Sequence, residues 1–166
     1  LISYGAGTTA RALADSPELE SIHVVDISRD VLEMNDVVFP DPKEHPLNDP
    51  RVQVHVDDGR HFLATTDLRF DLITGEPPPL KISGVPYLYT QEYFELARTR
   101  LRPGGLMSYW LPVYQLAPRE YESVVAAFCA AFADCSLWTG NGLEWILLGS
   151  RDLRGPVEQA SMERLW

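Results

Sequence analysis

The sequence predicts a doubly wound α/β fold, a mostly parallel sheet flanked by helices and closed by a C-terminal antiparallel hairpin. Three observations carry this expectation. Short β-prone apolar runs alternate with helical patterns from end to end, the order that builds a parallel sheet. A glycine turn, Gly5-Ala6-Gly7, follows the first apolar run and leads straight into a helical pattern. The last two β-prone runs are separated by Thr139-Gly140-Asn141-Gly142, a hairpin signal and not a crossover.

Element by element, residues 1–4 form the first expected strand and residues 8–14 the first helix. Residues 21–27 (SIHVVDI) give a second strand, and residues 28–39 a helix with Ser28 as its N-cap. Residues 40–50 cannot be helical, because Pro40, Pro42, Pro46 and Pro50 interrupt them. Residues 51–56 alternate as a strand, residues 59–65 give a short helix, and residues 70–74 a short strand ending in Gly75-Glu76-Pro77-Pro78-Pro79. Residues 90–101 form an amphipathic helix stopped by Pro103-Gly104-Gly105. A strand over 106–111, a helix over 118–133 with Pro118 in its first turn, and strands over 136–138 and 145–148 complete the domain. One domain is therefore expected over residues 1–150, with a polar tail over 151–166.

The chain has 166 residues, with 14 Lys and Arg against 24 Asp and Glu, a formal net charge of -10. That balance excludes a general nucleic-acid binder, which needs clustered cations to neutralise phosphates. No apolar run is long enough to cross a bilayer. The opening at Leu1, inside an apolar run and without an initiator Met, is expected either of a fragment or of a chain whose upstream part has been removed. Cys129 and Cys135 lie in an Ala/Phe-rich helical stretch and are expected as buried free thiols of a reducing compartment, so the location expected is cytoplasmic. The four histidines fall in strands (His23, His55), the Pro loop (His45) and a helix (His61), with no metal-ligand spacing, so no metal is expected.

In open α/β sheets, ligands bind beyond the carboxyl ends of the strands, so the chemistry is sought just after each strand. Gly5 and Gly7 allow a tight turn through which the backbone can approach a ligand, or serve only to connect strand and helix. Asp26 closes the second strand about twenty residues past the glycine turn, where one carboxylate can accept from both hydroxyls of a ribose; its bland alternative is capping the following helix. Asp58 and Gly59 follow the third strand, and suit either the edge of a purine or a helix N-cap. Glu76 follows the fourth strand and is stiffened by three prolines, as suits a general base or amine-orienting acid; a solvated loop residue is the alternative. Tyr87, Tyr89, Tyr93 and Phe94 either line a pocket mouth or belong to the core.

These motifs together resemble the spermidine synthase family of polyamine aminopropyltransferases, and especially its bacterial spermidine synthase-like subgroup, often fused to membrane transporter-like segments. The likeness rests on GAGTTARAL at 5–13, VVDIS at 24–28, DPRVQVHVDDGRHFL at 49–63, FDLITGEPPP at 70–79 and GVPYLYTQEYFELARTRLRPGGLMSYWLP at 84–112. The resemblance implies a Rossmann-like sheet of the class I methyltransferase type. It implies S-adenosylmethionine or its decarboxylated form as co-substrate, and a small-molecule amine as acceptor. Carried over position by position, Gly5 and Gly7 match the nucleoside loop, Asp26 the ribose acid, Asp58 and Gly59 the adenine contacts, and Glu76 the catalytic acid.

Three positions depart from the family pattern. Ala6 stands where an Asp holds the aminopropyl ammonium, the second acid after the fourth strand is missing from Glu76-Pro77-Pro78-Pro79, and Tyr109-Trp110 replaces a Gln near the polyamine. A cationic donor and a diamine call for several carboxylates, because unpaired buried ammonium groups are costly. The expected function is aminopropyl transfer to a polyamine-type amine. The alternatives are a methyltransferase and a non-catalytic nucleoside-binding or scaffold domain. The resemblance is also compatible with a homodimer and with a parent protein carrying membrane segments.

Overall fold

A computed structural model of the chain describes residues 1–140 and 142–152. Strands β1 (Ile22–Asp26) and β2 (Val52–Val56) pair in parallel, as do β3 (Phe70–Gly75) and β4 (Leu101–Pro112). The hairpin of β5 (Ser136–Thr139) and β6 (Glu144–Ser150) adds antiparallel, β6 lying against β4. Ile2 joins the two groups of strands, bridging Val25 of β1 and Gly75 of β3 in parallel fashion. The expected first strand is therefore present as a short central rung, with Ile2 N–H donating to Thr74 O at 2.8 Å and Ser3 N–H to Val25 O at 2.9 Å. The order across the sheet is β2, β1, the Ile2 rung, β3, β4, β6, β5.

Period-2 alternation sends β1 to two different cores. Ile22 and Val24 pack with Tyr4, with Ala10 of α1 (Thr8–Ala14) and with Leu32 of α2 (Arg29–Glu33). Val25 packs on the other face, with Phe62 and Leu63 of α4 (Gly59–Thr65), Phe94 of α5 (Gln91–Arg100) and Phe128 of α6 (Pro118–Ala131). Arg51 fastens the first layer: its guanidinium donates to Ser16 O at 2.8 Å and Leu19 O at 2.9 Å, to Ala14 O, and to the Asp49 carboxylate.

Three expectations are corrected. The helix over 28–39 is split into α2 and the one-turn α3 (Asn35–Val38), although Ser28 caps α2 as expected, accepting from Val31 N–H. Pro103-Gly104-Gly105 does not separate helix from strand. Helix α5 ends at Arg100, β4 begins at Leu101, and residues 102–105 bulge out as the register shifts between Phe70, opposite Leu101, and Leu72, opposite Leu106. Gly104 takes φ +75°, a value that suits glycine in such a bulge. Finally, Cys129 and Cys135 are not free thiols but form a disulfide, their Cα atoms 5.1 Å apart. Helix α6 ends at Ala131 and the chain turns at once, which returns Cys135 beside the last helical turn. The thiol argument for a reducing compartment falls with it. Among the described residues no helix is long and apolar enough to cross a membrane, and the tail beyond Asp152 and residue Asn141 of the hairpin turn lie outside the described residues.

Candidate active site

Because the Ile2 rung, β1, β2 and β3 run parallel, the residues that follow each of them meet at one edge of the sheet. Gly5 and Gly7 follow the rung, Asp26 ends β1, Asp58 and Gly59 follow β2, and Glu76 follows β3. The glycine turn is required by its backbone. Gly5 and Gly7 have φ +56° and +79°, and a Cβ on Gly7 would overlap the Tyr4 hydroxyl. A Cβ on Gly5 would meet nothing, so that side of the turn faces open space into which a ligand can approach. Ser3, with φ +69°, is the one non-glycine residue among those described in the left-handed region, and it starts this turn.

Asp26 braces the turn from below. One carboxylate oxygen accepts from Tyr4 N–H at 2.7 Å and the other from Ser28 N–H at 2.8 Å. It is Ser28 that caps α2, and Asp26 holds the Ser28 amide; each Asp26 oxygen keeps a lone pair for a further donor. Asp58 likewise caps α4, accepting from His61 N–H at 2.9 Å. Gly59 is needed for packing, since a Cβ there would collide with the Ile2 side chain. Beside Asp58, Asp57 faces His61 Nδ1 at 3.1 Å, and this hydrogen bond holds the Asp57 carboxyl below its ordinary range. Next to Asp26, Ile27 is 71% exposed.

Glu76 is fixed at both ends. Its N–H donates to Ile2 O at 3.0 Å, and its Oε1 accepts from the hydroxyl of Thr9 in the first turn of α1. The carboxylate therefore faces the glycine turn across the sheet edge. Beneath it lie three buried phenols. Tyr89 donates to the carbonyls of Pro77 and Pro78, Tyr109 donates to Leu88 O at 2.7 Å, and Tyr93 Oη has no hydrogen-bond partner among the described residues. Burial raises all three above the ordinary phenol range. Tyr89, Tyr93 and Phe94 are core residues, whereas Tyr87 is exposed, so the expected aromatic mouth is reduced to Tyr87. Tyr109 is wholly buried, its ring against Gly75, and Trp110 donates to Glu144.

Sequence reasoning missed Thr9 and the Asp57–His61 pair, and named Tyr89 without its tie to the proline loop. Thr9 had a legible signal, a hydroxyl one turn past the glycines. Tyr89 carried none beyond its place after a proline-rich loop. No group of three or more His, Cys, Asp or Glu side chains is arranged to hold a metal among the described residues.

Residues 2–138 match the family model described as the spermine/spermidine synthase domain. A polyamine aminopropyltransferase of Nitrosomonas europaea is 31% identical over 120 residues, 69% of this chain and 36% of that enzyme. Among solved structures, spermidine synthase from Thermotoga maritima aligns over 92% of this chain and 53% of its own, with TM-score 0.72 and 17% identity. Human methyltransferase-like protein 13 in complex with SAH aligns over 98% and 75%, with TM-score 0.76 and 18% identity. The chain spans less than half the length of the curated relatives it matches first.

Proposed function

The chain belongs to the spermine/spermidine synthase family, and from that premise we propose that it binds a sulfonium nucleoside at the Gly5–Gly7 turn and transfers an aminopropyl group to an amine. The relatives named polyamine aminopropyltransferases support this reading. The observation that carries it is the Glu76 carboxylate, held by Thr9 to face the glycine turn from the end of β3.

The residues fit such a donor. Gly5 leaves open space beside the turn, Asp26 keeps lone pairs for a ribose diol, and Asp58 with the Gly59 backbone offers an acceptor and a donor to a purine edge. Decarboxylated S-adenosylmethionine, when bound, supplies a carbon activated by its sulfonium leaving group. The acceptor amine's lone pair forms the new C–N bond while the C–S bond breaks and methylthioadenosine departs. The surplus proton on nitrogen passes to the Glu76 carboxylate. The protein's share is to align the amine, exclude water and receive that proton.

A second reading, methyl transfer from S-adenosylmethionine itself, is favoured by one observation. Ala6 offers no carboxylate to the aminopropyl ammonium. Calorimetric titration with S-adenosylmethionine, its decarboxylated form and 5′-methylthioadenosine separates the two. Preference for the decarboxylated donor is expected; preference for the carboxylated one moves the assignment to methyl transfer, and no binding by any of the three overturns both. Glu76→Gln is expected to abolish transfer while leaving nucleoside binding intact.

A further inference from the structure

The segment that follows Glu76 is fastened by groups that the transfer chemistry does not use. Three consecutive prolines carry no N–H, so residues 77–79 can be held only through their carbonyls. Tyr89, buried under the loop, directs its hydroxyl at two of them, Pro77 O at 3.3 Å and Pro78 O at 3.1 Å. The Tyr89 ring is locked in turn, edge-on to Tyr109 at 5.5 Å between centroids, and Tyr109 donates to Leu88 O at 2.7 Å. The loop is thus closed at its neck, with residues 77–78 tied to residue 89. Within it, the Ile82 and Val85 amides donate to Pro79 O at 3.0 Å and Ile82 O at 3.1 Å. Glu76 lies between this tie and its own amide bond to Ile2 O.

We propose that Tyr89 is a positioning residue for Glu76: its hydroxyl pins the carbonyls that follow the acid and so keeps the carboxylate at Thr9, facing the glycine turn. This rests on the reading of Glu76 as the acid that faces the donor. The tie is made by residues 77, 78 and 89, none of which is among the groups proposed to receive the donor, so it governs the placement of the acid and not donor affinity.

The test is Tyr89→Phe, which keeps the ring and removes only the hydroxyl. With decarboxylated S-adenosylmethionine and putrescine as probes, kcat is expected to fall about tenfold, the scale of one buried hydrogen bond. The Kd for methylthioadenosine is expected to stay within twofold, and amide exchange at Ile82 and Val85 to accelerate about tenfold. Unchanged kcat, or a fall in kcat accompanied by a comparable rise in Kd, overturns the proposal, since a general loss of packing would move both. A wild-type chain without turnover sinks the reading of Glu76 as the transfer base, and the positioning role is then decided by crystal structures of both proteins. A Glu76 carboxylate that leaves the Thr9 hydroxyl in the variant supports the role. One that stays in place overturns it.

Discussion

The part of the sheet that carries the glycine turn and Asp26 is built from much less than the part that carries Glu76. On the first side, β1 and β2 have five residues each, α1 to α3 have four to seven, and the buried cluster is Tyr4, Ala10, Ile22, Val24 and Leu32. On the second, β4 has twelve residues and α6 fourteen, and twenty buried residues form one cluster around Phe94, Tyr109 and Phe128. Ile2 is the rung between them. Regions with little buried apolar area open locally at low cost, whereas a large core opens only on global unfolding. The difference teaches a division of labour. The glycine turn and Asp26, proposed to receive a ligand, lie where the backbone can yield, and the acid proposed to act on it stands on the part that cannot.

The sharpest way to break this comparison is to remove one side chain from each core. Phe94→Ala, in the large cluster, is expected to cost about 4 kcal/mol, and Leu32→Ala, in the small one, about 2 kcal/mol, both read from denaturant midpoints. Equal costs would mean that the two sides are packed alike. Next in size is the disulfide. Its short loop predicts that reduction, or Cys129→Ser with Cys135→Ser, lowers stability by about 2 kcal/mol, all of it on the α6 side. An unchanged thermal midpoint after reduction would show the staple to be idle.

Asp26→Ala is expected to weaken nucleoside binding at least tenfold, about 1.4 kcal/mol, and also to loosen the glycine turn by stranding the Tyr4 and Ser28 amides. Undiminished affinity in that variant would remove Asp26 from the ligand. The smallest effect is on pH. The Arg51 hydrogen bonds hold the Asp49 carboxyl down at about 2, against an ordinary 3.8. A depressed carboxyl stabilises the fold above its ordinary value, and that contribution is lost as pH falls from about 4 through about 2. Acid titration of the denaturant midpoint should therefore show a step in wild type that Asp49→Asn lacks.

Much of the architecture was legible because local pattern and tertiary outcome agree. The glycine turn, the Ser28 and Thr90 starts of α2 and α5, and the alternation of β1 each follow from signals within a few residues. The candidate residues could be ranked for the same reason, since parallel strands put their carboxyl ends at one edge. What could not be read is contact between distant segments. Thr9 meets Glu76, Tyr89 meets Pro77, and His23 Nδ1 meets His55 Nε2 at 3.0 Å across neighbouring strands, none of which has a local signature. The pairing of the cysteines escapes a local reading because the helical pattern runs on past Ala131; the turn at residues 133–134 that brings the two sulfurs together is tied to the distant β6, where Ser150 N–H donates to Asp134 at 2.9 Å.

The buried phenols beneath the proline loop have a consequence in alkali. Burial pushes Tyr4 up to about 12 from an ordinary 10, and Tyr89, Tyr93 and Tyr109 further still. A group whose ionisation is pushed up on folding contributes stability that is whole below its ordinary value and is lost as pH rises through its folded one. Several such groups share one core, so above about pH 10 the unfolded chain gains on the native one with every proton it sheds. Rather than titrating one by one, these rings should release their protons together as the core bursts, giving a single steep rise in phenolate absorbance. The rings that latch the loop thereby make the fold less stable as pH rises beyond the ordinary phenol range.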